Sequence, residues 1–490
     1  MAQNFLSADR DQLYLMPPSV ADWLDDDHLA WFIVDVVNEL DLTAFEAAYR
    51  LDGRGGAAYH PRVMVALLVY AYCTGERSSR RIERRCVEDV AYRVACANQR
   101  PDHATIARFR AQHQQALGKL FAQVLTLCVK EGLVQPVVVA VDGTRMEADA
   151  SMAANRSAAD LAAEILAEAA ATDEAEDEQY GDARGDEMPE QWRRREGRRE
   201  RIRDALDQLE ADQQRHSYET AVAEREQREA ELGRKLRGRK PQPHSGPRQG
   251  RRSANITDPD SRLMSSTKGW VQGYNAQAAV TTDQFVVAAE VTNHATDAKL
   301  LEPMVNAITT NLSTAGALEP VGTVLADAGY WSAPNADLQG PDLLIATAKS
   351  SKLAHLDPVT ENDRLQQWGA LLQRVDAGET KGIDAAVLMG VSPSTVTRRV
   401  RSWRARQLLS PRERMAERLA TEEGRALYAN RARSIEPVFG QTKHSRGIRR
   451  FMRRGLSACD SEWKLIMATH NLNKMWRRRQ GMPLGAPGHG

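Results

Sequence analysis

Three acids, far apart along the chain, stand where chemistry could be done. Asp142 ends an apolar, β-branched run in PVVVAVDGTRMEADAS, Asp327 ends a second such run in VGTVLADAGYWS, and Glu436 lies in SIEPVFGQTK. Acids at the ends of buried strands sit at the sheet edge where ligands bind. Three carboxylates brought together repel one another unless a cation intervenes. Mg²⁺ fits that need, because it takes oxygen ligands, binds through few carboxylates and leaves positions for water and phosphate oxygens. A pair of such ions can activate an attacking oxygen and stabilise the leaving one in phosphoryl transfer. Taken singly, Asp-Gly and Asp-Ala-Gly after a strand read equally well as turns.

Glu436 stands in a basic neighbourhood. Arg433, Lys443, Arg446, Arg449, Arg450, Arg453 and Arg454 surround it, and Arg431 to Gln480 holds thirteen bases against three acids. Such a run suits a polyanion. The reading that joins these facts places a metal on Glu436 beneath a phosphate, with Arg446, Arg449, Arg450, Arg453 and Arg454 holding the nucleic-acid backbone without reading sequence.

The elements that must position these groups follow from periodicity. Residues 1 to about 130 read as helices. LAWFIVDVVNELDL follows capping-type residues at Asp25–His28, and HPRVMVALLVYAYCTG has Pro61 near a helix start. SSRRIERRCVEDVAYRV reads as one helix with Ile82, Cys86, Val87, Val90 and Val94 on one face. RPDHATIARFRAQH reads as a turn into a helix with Arg108 and Arg110 exposed. GWVQGYNAQAAVTTDQFVVAAEVT reads as an antiparallel strand pair, DAKLLEPMVNAITTNL as an amphipathic helix capped by Asp297, and DLLIAT as a further strand. SIEPVFGQTK reads as the opening of a long basic helix, capped by Ser434 and with Pro437 in its first turn. DAAVLMGVSPSTVTRRVRSW has helix-turn-helix character, with Gly390 at the turn, Ala386 and Val396 inward, and Thr395, Arg398 and Arg399 on the recognition helix. A plain helical hairpin with a basic face accounts for the same pattern.

Composition bounds the rest. The 490 residues carry 66 basic and 66 acidic groups, a zero net charge that hides segregation: twelve acids and one base from Asp160 to Glu190, then eight bases and no acid from Gly233 to Arg252. The acidic stretch reads as a solvated face, the basic one as a linker able to track phosphates. Five cysteines without a C-x-x-C argue against a disulfide framework or a zinc ribbon, and a reducing, cytoplasmic setting is the expectation. The Val63–Cys73 run is too short to span a bilayer, and the polar N-terminus shows no secretory signal. Glu147 and Asp149 read as supporting or solvated carboxylates. Tyr330 and Trp331 read as base-stacking or as packed beside the sheet.

At these motifs the chain resembles DDE transposases of bacterial insertion sequences with an InsH-type N-terminal domain. The resemblance rests on DWLDDDHLAWFIVDVV, YHPRVMVALLVYAYCTGERSSRRIE and RPDHATIARFRAQH. It continues through VDGTRMEADAS, NITDPDSRLM, GWVQGYNAQAAV and LADAGYWS to YANRARSIEPVFGQTKHSRGIRRFMRRG. It implies an α/β fold: an RNase H-like mixed sheet flanked by helices over 131–490, after an all-helical DNA-binding domain over 1–130. Insertions are expected at about 157–255 and 350–425. It places the catalytic, metal-holding acids on Asp142, Asp327 and Glu436 and the Tyr-Arg-Glu-Lys signature on Tyr428, Arg431, Glu436 and Lys443. Here four residues, Ala432 to Ile435, separate the Arg from the Glu, where one related group has three. Implied with it are two Mg²⁺ or Mn²⁺ ions and binding of terminal inverted repeats and target DNA. Strand cleavage, joining of the freed 3′-hydroxyl and a homodimer or higher oligomer in the synaptic complex are implied too. The rivals are a catalytically silent, domesticated DNA-binding protein and a nuclease that cuts without joining.

Overall fold

The computed structural model describes residues 19–49, 58–152, 155–157, 225, 253–255, 257–266, 269–347, 368–407 and 411–482. The acidic stretch 160–190, the basic stretch 233–252 and most of the C-terminal tail lie outside them.

Among the described residues, seven α-helices precede the sheet: α1 Leu29–Glu39, α2 Thr43–Glu46, α3 Pro61–Cys73, α4 Ser79–Glu88, α5 Val90–Ala95, α6 His103–Gln112 and α7 Gln114–Lys130. Pro61 takes the first position of α3, where its missing N–H costs nothing, and nearly every later residue of α3 is buried. The span read as one helix from Ser79 to Val94 is two. Asp89 has extended backbone, ends α4 and caps α5 by accepting from the Ala91 and Tyr92 amides. Val87 on α4 and Val90 at the start of α5 face solvent, while Ile82, Cys86 and Val94 stay inside.

The strands are β1 Val138–Glu147, β2 Asn155–Ser157, β3 Ser253–Asn255, β4 Arg262–Ser266, β5 Gly269–Thr281, β6 Val286–Thr292, β7 Thr323–Ala326 and β8 Asp342–Ile345. Six of them form one sheet. Its path runs β4-β5-β1-β7-β8, with β6 pairing β5 further along the edge that β4 occupies. The β6-β5-β1 part is antiparallel, whereas β1-β7-β8 is parallel. This is the mixed, RNase H-like sheet that was expected. β2 and β3 pair antiparallel with each other and bring the chain ends around residues 158–252 together.

The later helices are α8 Leu301–Ala315, α9 Ala333–Ala336, α10 Gly369–Asp376, α11 Gly382–Met389, α12 Pro393–Gln407, α13 Pro411–Ala420, α14 Glu422–Gly440 and α15 Leu456–Arg479. Helix α15 lies between the sheet and the N-terminal helices, with Trp463, Ile466, Met467 and Leu472 buried. One hydrophobic cluster therefore runs from Ile33 and Leu67 through Trp463 to Val139, Val280 and Leu325. By contrast, α10, α11 and α12 close around a small cluster of their own: Leu372, Ala385, Ala386, Met389 and Val396. Gly390 ends α11 at φ 60°, a left-handed backbone that suits glycine.

The opening of α14 differs from expectation. Thr421, not Ser434, is its cap. Ser434 sits in mid-helix and donates from its hydroxyl to the Asn430 carbonyl. Pro437 is inside the helix, in its last turn. A proline there leaves the carbonyl four residues back without its helical donor. That carbonyl, on Arg433, instead accepts from Gln284 Nε2 at 3.3 Å. A π turn, Gln441–Ser445, then ends the helix, and residues 446–455 run irregularly to α15. No long basic helix exists in this span.

Candidate active site

Parallel register builds the core of the site. Val138 to Val141 of β1 pair in order with Thr323 to Ala326 of β7. The next residue on each strand is an aspartate, so Asp142 and Asp327 emerge side by side, on strands about 4.8 Å apart. Asp142 was expected at a strand end. It is instead in mid-strand, because β1 continues to Glu147 against β5, with Asp142 opposite Ala278. What ends at Asp142 is the parallel pairing, and that is what opens room beside it. Asp327 does end its strand and turns the chain by accepting from the Gly329 amide at 2.8 Å.

Both carboxylates converge on one cation. Arg431 of α14 places a guanidinium nitrogen 3.2 Å from Asp142 Oδ2 and 3.7 Å from Asp327 Oδ2. Tyr428, one turn earlier on α14, is half-buried beside them. Burial raises its phenol above its ordinary value, with Arg431 pulling the other way. Burial also pushes the Asp142 carboxyl up to about 6. Arg431 opposes that rise, and the neighbouring charges of Asp327 and Asp297 add to it. For Arg431 burial disfavours the charge, but Asp142, Tyr428, Asp327 and Glu436 outweigh it and raise its affinity for its proton.

Glu436 belongs to the same helix and its charge reaches Arg431, but its side chain is exposed. It has no hydrogen-bond or ion-pair partner among the described residues. Five residues from Arg431, it points to another side of the helix. Among the described residues no group of three or more His, Cys, Asp or Glu could hold a metal ion as they stand. The pair Asp142 and Asp327 is nonetheless an all-oxygen donor set already focused on one positive charge. Such a donor set is chemically compatible with a hard divalent cation such as Mg²⁺ or Mn²⁺.

Lys443 lies in the π turn, so its relation to Glu436 is not that of two residues on one α-helical face. Its ammonium donates to the Arg145 carbonyl of β1 at 2.6 Å, and burial lowers it to about 8. Arg449 and Arg450 are exposed on a segment that docks against the end of β1. There the Glu147 amide donates to the Arg449 carbonyl and Phe451 donates back to Glu147.

The other three arginines of that run are not on a phosphate-facing surface. Arg446 donates to the carbonyls of Tyr72 and Ile466 and to the Thr469 hydroxyl. Arg453 donates to the Arg110 carbonyl and to Gln114 Oε1, and Arg454 donates to Asp149. Arg453 and Arg454 are buried, and burial lowers the pKa of Arg446 to about 10. Irregular backbone and exposed helix ends leave carbonyls to be satisfied, and a long multi-donor guanidinium does so across distant segments. Arg110, expected outside, belongs to the same set: it is buried and donates to the Arg77 carbonyl and the Ser79 hydroxyl. Arg77 in turn pairs with buried Glu462 at 2.8 Å. Asp149 is thus a structural ion-pair partner. On α12 Arg398 is exposed, whereas Arg399 is buried and off any recognition face.

Tyr330 packs rather than stacks on a ligand. It is fully buried, and its hydroxyl donates to Gln277. By sequence Asp297 reads as the cap of α8, but Leu300 holds that position, and the Asp297 carboxylate turns toward the site. It accepts from Asn275 Nδ2 at 2.6 Å and Gln277 Nε2 at 3.1 Å. The alternation in GYNAQAAV could have signalled this, since two amides two apart on a buried strand must find acceptors.

Residues 18–112 match a family described as a transposase domain (DUF772), and residues 394–476 match a transposase DDE domain. Both matches are to transposase families and together support an insertion-sequence DDE transposase. The first match spans α1 to α6, and the second takes in α14, with Tyr428, Arg431 and Glu436, and the π turn with Lys443. The strands bearing Asp142 and Asp327 lie between the two matches, so their place in the site rests on geometry. No curated protein and no solved structure matches the chain. Among the described residues no helix is long and apolar enough to cross a membrane.

Proposed function

We propose that this transposase binds the terminal inverted repeats of its element, cuts the DNA strands there and joins the freed 3′-hydroxyl to target DNA. One observation carries the reading: the β1–β7 register delivers Asp142 and Asp327 to a single cationic point. Asp142 and Asp327 would hold divalent metal there, with Glu436 joining from α14. When bound, the metal supplies Lewis-acid stabilisation of phosphate charge and a more acidic nucleophile.

The chain's own groups do the rest. Arg431, released from the aspartates, is left beside the scissile phosphate as a charge-assisted donor. Lys443, with its proton affinity lowered by burial, stands at the Arg145 level of β1 to meet an adjacent phosphate. Arg449 and Arg450 extend the positive surface past Glu147. Arg398 offers a further contact on the helical unit of α10 to α12. Recognition of the repeats is assigned to the N-terminal helices, and two or more copies would assemble on paired ends.

The test is cleavage and strand transfer on end-bearing DNA with Mg²⁺, using Asp142→Ala, Asp327→Ala and Glu436→Ala. Each should abolish cutting while DNA binding persists. A variant that cuts at the wild-type rate removes that residue from the site. Wild-type binding without metal-dependent cutting would favour the silent DNA-binding protein, and cutting without joined product would favour a nuclease.

A further inference from the structure

Asp297 is held as no ordinary loop carboxylate is. Asn275 and Gln277, both fully buried on β5, donate to the same oxygen, Oδ1. Gln277 also donates to Asn275 Oδ1, and its own oxygen accepts from buried Tyr330. Four polar side chains are thus locked into one arrangement, and only the carboxylate of Asp297 reaches solvent, at 21% exposure. Its second oxygen points to Gly329, whose bare Cα is also flanked by Asp327 Oδ1. A Cβ there would lie 3.0 Å from Asp327 Oδ1 and 3.4 Å from Asp297 Oδ2. Gly143, next to Asp142, is equally constrained, since a Cβ would collide with Gln277 Nε2 and crowd Asp297. The Arg145 guanidinium lies 3.8 Å from Asp297 Oδ1.

We infer that Asp297 is a positioning residue for the metal that Asp142 and Asp327 would hold, acting on it through bound water. This rests on the functional reading above. The carboxylates of Asp142, Asp327 and Asp297 outnumber the guanidiniums of Arg431 and Arg145 by one, so net negative charge remains to attract a cation. Mg²⁺ keeps several waters at 2.0–2.1 Å. A carboxylate accepting from such a water sits about 4–5 Å from the ion. A rigid acceptor in that layer orients the water and strengthens binding, and losing such a partner costs roughly 10–100-fold in metal affinity.

Mn²⁺ titration of the full chain, followed by electron paramagnetic resonance, tests this without recourse to activity. Asp297→Asn should weaken Mn²⁺ binding by roughly tenfold, and Asp297→Glu, which keeps the charge, should recover most of it. Loss of binding in Asp142→Asn with wild-type affinity in Asp297→Asn would overturn the role of Asp297 alone. No Mn²⁺ site in the wild type would overturn the parent reading and this one with it. Should Asp297→Asn fail to fold, Fe²⁺-directed backbone cleavage of the wild-type chain answers instead. Cuts beside 297 as well as 142 and 327 support the inference, and cuts confined to 142 and 327 overturn it.

Discussion

Arg453 and Arg450 stand three residues apart in a run that reads as uniformly basic, yet they should fail in opposite ways when replaced. Consider Arg453→Met, which keeps an apolar stem and removes the guanidinium. The lost bonds leave the Arg110 carbonyl and Gln114 Oε1 without their donor, 2.7 and 3.0 Å away in the wild type. Gln114 is half-buried and can turn to water, so the cost concentrates on the buried Arg110 carbonyl. An unsatisfied buried acceptor costs about 1–3 kcal/mol, and that is the expected loss of stability. Relief of repulsion between Arg453 and Arg110, which together with burial lowers the Arg453 pKa, pulls toward the lower end. Arg450→Met removes an exposed cation whose only ion pair among the described residues, with Asp149, is long at 3.8 Å, and should cost no more than about 1 kcal/mol of stability. On DNA the order reverses. Each phosphate contact contributes a slope of about 0.9 to the dependence of log affinity on log salt. Arg450→Met should lower that slope by about one, while Arg453→Met should leave it unchanged. Urea unfolding and salt-dependent binding to end-bearing DNA give both numbers. A variant of Arg453 with full stability and a slope reduced by one would refute the division of these arginines into structural and DNA-facing groups.

Other expectations follow from the same contacts. Asp258 is fully buried, with Oδ1 accepting from the Tyr274 hydroxyl and the Gly455 amide, and burial raises its pKa to about 7. A carboxyl whose folded pKa lies above its unfolded value favours folding at low pH. Its contribution is complete below about 4 and is lost as pH rises through about 7. Asp258→Asn should therefore flatten that decline and gain stability at pH 8 relative to pH 5, read from urea midpoints. Glu462→Gln strands the buried Arg77 guanidinium and should cost about 3–5 kcal/mol in unfolding experiments. Gly143→Ala forces Gln277 and Asn275 aside, costs about 1–3 kcal/mol through overpacking and should abolish DNA cutting even where the protein still folds.

The sheet was largely legible because β-branched runs and alternation report burial directly. TVLA and VVAV sit between turn residues and could be little else. Their register also made Asp142 and Asp327 neighbours, although the strand continuing past Asp142 is hidden by the Asp-Gly that mimics a turn. Long-range satisfaction was not legible. Arg446, Arg453 and Arg454 look like any exposed basic run, and only the fold brings the carbonyls of Tyr72 and Arg110 and the carboxylate of Asp149 to them. Pro437 reads as a first-turn residue because helix interiors rarely tolerate one. Gln284, over a hundred residues away, is what makes it tolerable. Asp297 resembles a cap by position, three residues before Leu300, and its true partners lie on another strand.

Crystals of the transposase bound to end DNA and soaked in Mn²⁺ would test the central claim most directly. Anomalous scattering should peak between the Asp142 and Asp327 carboxylates, with the Arg431 guanidinium moved off both and onto phosphate. Manganese found elsewhere, with Arg431 still bridging the two aspartates in the presence of cleavable DNA, would contradict it.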